Sequence, residues 1–510
     1  MTLVRAATSP GFSAMRRNGA LQQYLAGFTA CFCVMVSGSC FGWVTPILAT
    51  LLGPDSEIPM TSSQSSWMVS IIEIGNLITP IPASFLADRW GRRPLILITC
   101  PIYFLSWIII LIWPTIETLL FTRIVQGLAM GVVFTVVPLY LSEISSPEIR
   151  GSICSLFHNT WYLGHVIEYC LGACLSYRTY TYVTAALPVI SFLVFYGQPE
   201  SPYFLVMKKR NAEAAKCLTR LRGCSPVNSV SEELQAMVLS YNNEVSNKAS
   251  WKDIFRTSAD IRALYIVLGL GTLRVLNGLI AIMTYSTQTF SHLHSVNASL
   301  HSVNASDNSV LSRIVTPNNT TIVFGVIIFI SSFFVAIIAD LSGRRQLLMF
   351  SAFGSCVNLL LAGGYFYMDT MTNIDVSRYN WFPVLTIIVF SLFVTLGIGP
   401  VSVMYQSEMF LSNTRGFASS ISAINLTLNA FFLLKFYQVL ADNVGEYFIF
   451  WLFSTFCLIG LIWIYITVPE TRGKTFSQIR QELTNSIQSK KNASKKVPTI
   501  PKIEISDAPL

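Results

Sequence analysis

The chain has 510 residues, of which 52% are hydrophobic and 12% charged, and its mean hydropathy is +0.55. That balance excludes an ordinary soluble domain and points to a polytopic membrane protein. The formal charge of +8 and the pI of 8.9 need no nucleic-acid partner to explain them, because basic residues accumulate on one side of a membrane protein.

A helix rises about 1.5 Å per residue, so about 20 apolar residues cross about 30 Å of hydrocarbon. Twelve runs meet that need, near 26–50, 67–87, 95–113, 118–141, 152–176, 181–198, 263–289, 321–339, 347–368, 382–404, 417–440 and 447–468. The expected protein is all-α, with twelve transmembrane helices. Its predicted parts are an N-terminal segment (1–25), a six-helix bundle (26–198), a helical connector (199–262), a second six-helix bundle (263–468) and a largely disordered tail (469–510).

With the N-terminus inside, roughly 28 of the 34 Lys and Arg fall on cytoplasmic segments, which predicts both termini cytoplasmic. The outer loops hold Arg178, Arg313 and Arg378, and the helices hold Arg123, Arg274 and Lys435. Arg16 and Arg17 precede a first run too long for a signal-peptide core, and no clear cleavage site follows, so the first helix is expected to stay. Most of the eleven cysteines lie inside apolar runs, while Cys217 and Cys224 fall in the connector; no disulfide framework or zinc spacing emerges.

Following the chain past its second run, ADRWGRR at 87–93 returns as ADLSGRR at 339–345. PLYLSEISSPEIRG at 138–151 returns as PVSVMYQSEMFLSNTRG at 400–416, and PESP at 199 returns as PETRG at 469. The offsets are nearly constant: 252 from Asp88 to Asp340, 265 from Arg150 to Arg415, and 270 from Pro199 to Pro469. Two related halves that rock about a central site are how transporters alternate access. Each charge cluster sits at the cytoplasmic mouth of a helix, where carboxylates of one bundle can meet guanidinium groups of the other. The candidate gating residues are Asp88, Arg89, Arg92, Arg93, Glu143, Arg150 and Glu200 in the first half. Asp340, Arg344, Arg345, Glu408, Arg415 and Glu470 are their counterparts in the second.

In order and spacing, these motifs resemble those of the sugar porter family of the major facilitator superfamily over residues ~25–480, most of all its insect facilitated trehalose transporter-like branch. The carriers are Asp88-Arg89-x-Gly91-Arg92-Arg93, then Pro138, Tyr140, Glu143, Ile144, Pro147, Arg150 and Gly151, then PESP. The second half continues through Gly343, Arg344, Arg345, Gly399, Pro400, Glu408, Phe410, Arg415 and Gly416 to PETRGKTF. The resemblance implies the major facilitator fold, a connector that caps the inner face, and transport of a sugar with no cofactor. Tyr203 stands where the family usually places an arginine after PESP.

In the connector, NAEAAKCLTRLRG and SVSEELQAMVLSYNNEV read as short amphipathic helices, the second with Ser229 and Glu232 in capping-box spacing. The loop between helices seven and eight repeats HSVNASL as HSVNASD, placing sequons at Asn297 and Asn304, with Asn318 and Asn319 beyond; all four are candidate glycan acceptors on the outer side. His292, His294 and His301 do not make a metal site, because two of the three are copies of one another.

The cavity departs from the pattern that the resemblance implies. Counted from the landmarks, the helix-five glutamine of the family falls on His158 and the helix-seven glutamine pair on Arg274 and Val275, with its asparagine on Ile280. The helix-eight asparagine falls on Ile328, the helix-ten tryptophan on Val403 and the helix-eleven asparagine near Ala430. Gly278, Tyr285 and Phe290 remain, and Asn277 stands as a local substitute. A lone guanidinium at bilayer depth costs about 2.5–3.5 kcal/mol on insertion scales, so Arg274 is expected to meet a carboxylate or water. Glu168 is the preferred partner and Glu73 the second, with His158 and His165 on the Glu168 helix. Candidate substrate-binding residues are therefore His158, Arg274, Asn277, Tyr285, Glu168 and Glu73.

SGSCFGWVTPIL in helix one has no carboxylate, whereas proton-coupled sugar porters resemble one another in carrying an aspartate there. Facilitated diffusion of trehalose or a hexose through the plasma membrane is the first reading. A different, anionic solute attracted by Arg274, or a transport-dead sensor, are the alternatives. No nucleophile, base and orienting group occur together, so an enzyme is not expected. The partners expected are a small-molecule solute and the lipid bilayer.

Overall fold

A computed structural model describes residues 10–53, 56–223, 230–246, 257–301, 316–335, 343–372, 379–410 and 412–472, together with Phe255, Ile374, Val376, Lys474, Gln478 and residues 480–483. Side chains are described for most of these. Helices dominate and no strand occurs among the described residues, as hydrocarbon requires of a chain that must satisfy its backbone polar groups internally.

The first crossing is α1 (Pro10–Gly42) continued by α2 (Val44–Leu52). The second is split into α3 (Ser62–Ser70), α4 (Ile72–Ile78) and α5 (Pro80–Trp90) and bends by 47° ahead of Pro80, which supplies no N–H to the helix ladder. A capping box starts it: the Thr61 hydroxyl accepts the Gln64 N–H, and the Gln64 amide oxygen accepts the Thr61 N–H at 2.9 Å. Four further crossings follow as α6 (Arg92–Ile112), α7 (Ile116–Ile144), α8 (Arg150–Cys174) and α9 (Tyr177–Tyr196). Small residues let these helices touch backbone to backbone: a Cβ on Gly75 or Gly127 would lie 2.2 Å from Ile124 O or 2.0 Å from Ile72 O, so α4 and α7 pack at glycine distance.

The connector holds α10 (Pro202–Met207), α11 (Asn211–Arg222) and α12 (Ser231–Ser246), which cover both amphipathic segments; Ser229 lies outside the described residues. Tyr203, in the arginine's place, packs edge-on against Tyr241 of α12 at 6.3 Å.

The seventh crossing is broken into α13 (Ser258–Leu276) and α14 (Leu279–His301). Then come α15 (Pro317–Ser332), α16 (Arg344–Met371), the pair α17 (Trp381–Leu396) and α18 (Ile398–Glu408), α19 (Ser412–Asn443) and α20 (Glu446–Thr467). Among the described residues nine stretches are long and apolar enough to cross a membrane, and the bent second crossing makes a tenth. The other two are α8, whose apolar pattern is interrupted by His158, His165 and Glu168, and the 16-residue α15.

With twelve crossings in alternation, both ends of the bundle sequence lie on one side, here called the terminal face. The connector docks there: Arg222 donates to Ile144 O at 2.9 Å and pairs with Glu233 at 2.6 Å.

Candidate functional site

At the terminal face the sequence repeat becomes a repeat of hydrogen bonds. Gly91 (φ 108°) and Gly343 (φ 83°) turn the chain into α6 and α16 through a region closed to most side chains. The carboxylate of Glu200 accepts the N–H groups of Arg92 and Arg93, each at 3.1 Å; Glu470 accepts those of Arg344 and Arg345 at 3.1 and 3.0 Å. An anion is favoured at a helix N-terminus by the free N–H groups and the dipole. The arginines reach the next helix in the same way. Arg92 pairs with Glu143 at 3.0 Å and Arg344 with Glu408 at 2.8 Å. Arg93 and Arg345 each donate to a backbone carbonyl, of Tyr196 and Tyr465, and lie over those rings. Tyr140 and Tyr405 bond the carbonyls of Pro199 and Pro469 at 2.9 and 2.7 Å.

Burial acts to raise the Glu470 pKa, but N–H donors from Arg472, Arg345, Arg344 and Thr471 outweigh it and hold the carboxyl below the ordinary range. Asp88, itself 59% exposed, lies 3.2 Å from Arg92, while Arg89 and Arg150 are exposed at helix ends. Asp340 and the side chain of Arg415 lie outside the described residues.

Arg92–Glu143 and Arg344–Glu408 therefore run within a half, where the sequence had suggested pairing between halves. Contact between the halves is found instead towards the opposite face. Tyr169 of α8 donates to Met283 O of α14 at 3.0 Å, and Thr45 of α2 reaches the same carbonyl at 3.4 Å. Asn76 meets Thr427 at 3.4 Å, Lys435 meets Ser66 at 2.8 Å, and Ser62 donates to Asp442. Ser332 donates to Asn159 at 2.8 Å nearer mid-bundle. On the terminal side of that seam His158, Thr272, Arg274, Gln406, Asn425 and Asn429 stand half-buried on helices of the two halves.

Arg274 is half-buried, and neither expected carboxylate meets it. Glu168 is fully buried inside the first half, where it accepts from Ser39 and from Thr184 at 3.0 Å; Glu73 accepts from Asn76 at 3.0 Å. The reason is rotational: residues 158 and 168 are ten positions apart on α8, which turns Glu168 towards α1 and α9 while His158 points across the gap. Arg274 Nη2 lies 3.5 Å from His158 Nε2, a long contact that joins the halves. His165 belongs to the core, bonded to Trp161 O at 3.1 Å and packed against Phe41 and Trp161.

Asn277 also departs from expectation. Its Nδ2 donates to Arg274 O at 2.9 Å and its Oδ1 accepts the Leu279 N–H at 2.8 Å, so both ends of the amide bridge the helix break. Tyr285 is buried against Tyr437, with ring centroids 4.4 Å apart, and donates to Leu434 O.

Neutral donors escaped the sequence reading. On α19, Asn425 and Asn429 are four apart and share a face, and both reach Thr272 of α13, at 3.2 and 3.5 Å. Ser422 donates to Gln406 on the same wall at 3.3 Å. Asn425, Asn429, Thr272 and Gln406 are half-buried. The i, i+4 spacing in NLTLN was the available signal, but the count from the landmarks fell on Ala430, one residue beyond Asn429.

Asn297 lies in α14, which runs on to His301 where a loop had been expected; its side chain and all of Asn304 lie outside the described residues. Asn318 and Asn319 stand in the first turn of α15, half-buried and exposed. Among the described residues no group of His, Cys, Asp and Glu could hold a metal ion.

The model of the family described as "Sugar (and other) transporter" matches residues 17–483. The facilitated trehalose transporter Tret1 of Bombyx mori is 28% identical over 478 residues, spanning 93% of this chain and 89% of that protein. Tret1 of Apis mellifera ligustica is 27% identical, over 91% of this chain and 89% of its own. Tret1 of Drosophila willistoni is 28% identical, but the match spans 51% of its length. The fold is similar to that of the E. coli xylose transporter XylE in a partially occluded inward open conformation, with a TM-score of 0.71 at 17% identity, covering 89% of this chain and 99% of that one. With its duplicated helix-mouth network and a family match over nearly its whole length, the chain belongs to the sugar (and other) transporter family, in the major facilitator fold, and is a transporter and not an enzyme.

Proposed function

We propose that this protein carries a neutral sugar, trehalose or a hexose, down its gradient by alternating access. The plasma membrane is the membrane proposed, with the terminal face in the cytoplasm. The observation that carries the reading is the asymmetric seam: the hydrogen bonds between two matching halves gather near one face, and a polar, half-buried wall lies towards the other. That wall is rich in neutral donors and acceptors, namely Thr272, Gln406, Asn425 and Asn429, as the many hydroxyls of a polyol require. The names of the insect relatives support trehalose.

Facilitation rather than ion coupling is supported by a first crossing without a carboxylate and by the withdrawal of Glu73 and Glu168 from the wall. The cytoplasmic assignment rests on the Lys and Arg bias. We propose Arg92, Arg93, Glu143, Glu200, Arg344, Arg345, Glu408 and Glu470 as the network that fixes each half as a rigid rocker, and Asp88, Arg89, Arg150, Asp340 and Arg415 as charges that engage when this face closes. Asn319, exposed on the opposite side, is the proposed glycan acceptor among the described sequons.

The test is uptake of labelled trehalose and glucose in oocytes at confirmed surface expression. Saturable uptake is expected, reduced about five- to tenfold in Asn429→Ala if one hydrogen bond of about 1 kcal/mol is lost. No uptake of either sugar by wild type would contradict the reading.

A further inference from the structure

Among the described residues the seam near the opposite face holds a cation that the proposed transport wall does not use. Lys435 sits three-quarters of the way along α19, half-buried, on the second half. Its Nζ donates to Ser66 Oγ at 2.8 Å and lies 4.1 Å from the centroid of the Trp67 ring; both residues belong to α3, on the first half. Ser66 is arranged to receive it, since its own hydroxyl proton goes to Ser63 O at 2.7 Å. The nearest acid along the helix, Asp442, is taken by Ser62 and by Gln438 at 2.7 Å. Trp67 also touches α19 through Phe431, at 6.1 Å.

Part of the hydration of this half-buried ammonium group is replaced by an aromatic face and a hydroxyl supplied by the other half. Both exist only while the halves touch here. When they part, the cation loses the ring and the hydroxyl together and must be rehydrated by water entering the gap.

We propose that Lys435, seated on Trp67 and Ser66, is a state-dependent latch that holds the opposite face closed and sets the balance between the two access states. The inference rests on the alternating-access reading and extends it to regulation of the same machine. A Lys at this place does more than fill space, because Met would keep most of its length and lose the cation–π contact and the hydrogen bond.

The test is hydrogen–deuterium exchange on the full-length protein in lipid nanodiscs, comparing wild type with Lys435→Met, Lys435→Arg and Trp67→Leu. In Lys435→Met and Trp67→Leu, amides of 62–70 and 436–443 should exchange about tenfold faster, equivalent to about 1.4 kcal/mol. The terminal ends of α6, α7 and α19 should slow at the same time. Lys435→Arg should stay near wild type, since guanidinium also stacks on indole. Unchanged exchange at 62–70 and 436–443 in Lys435→Met would overturn the latch. Faster exchange there with no slowing at the terminal face would overturn the alternating-access reading beneath it.

Discussion

Arg274 was expected to meet a carboxylate or water; neither carboxylate reaches it, and the side chain beside it is His158, with Nε2 3.5 Å from Nη2. Sequence gave its depth and its lack of a neighbour on α13, but partner choice depends on how α8 is rotated, which a run of mixed polarity does not reveal. Glu168 and Glu73 each turned out to be buried among hydroxyl and amide donors of their own half. The consequence is testable by thermal unfolding in detergent. Arg274→Gln should change the midpoint little, because a half-buried guanidinium with no ion pair among the described residues is given up. Glu168→Ala should lower stability by about 1–3 kcal/mol, the cost of leaving the buried Ser39 and Thr184 hydroxyls without their acceptor. The double swap Arg274→Glu with Glu168→Arg should not rescue either single change, and rescue would restore the pairing that the geometry rejects.

At the scale of the element, the seventh crossing shows why one continuous apolar run can hide a break. The run 263–289 reads as a single helix, yet Gly278 (φ 89°) interrupts it, and a Cβ there would lie 2.1 Å from the Phe453 ring. Asn277 bridges the gap with both ends of its amide, so a residue that looked like a ligand is a splint. Gly278→Ala is expected to cost at least about 2 kcal/mol, since it adds a left-handed non-glycine backbone and an overpacked contact. A thermal midpoint equal to wild type would refute that account.

The helix mouths were legible for the opposite reason: their motifs recur in order, and a Gly-Arg-Arg turn followed at distance by a Glu admits few arrangements. Whether the ion pairs run within or between halves was not legible, because one sequence serves both access states. Glu470, with its carboxyl held below the ordinary range by four N–H donors, gives a pH prediction. A depressed pKa contributes stability that is present above the unfolded carboxylate value of about 4.3 and is lost as pH falls through the folded value. The thermal midpoint should therefore fall between about pH 5 and pH 3.5, and Glu470→Gln should start lower at neutral pH and flatten part of that fall. An equally steep fall in the variant would assign the acid sensitivity elsewhere.

For the whole molecule, the twelve crossings and the two halves could be read from hydropathy and the near-constant offsets, because both follow from one-dimensional periodicities. The proposed binding wall could not, because it is assembled from α8, α13, α18 and α19, and the helix-eleven position counted from the landmarks falls on Ala430, one residue beyond Asn429. The asymmetric seam is the feature on which the proposed cycle rests: the hydrogen bonds between the halves gather near one face, and half-buried polar side chains lie towards the other. Entrance counterflow on the purified protein in proteoliposomes tests this most directly. With unlabelled trehalose inside, labelled trehalose outside and no pH gradient, a carrier that alternates access accumulates label transiently above its equilibrium level. The account predicts that overshoot, abolished by a cross-link between Ser62→Cys and Asp442→Cys. A monotonic approach to equilibrium, or no entry at all, would contradict it.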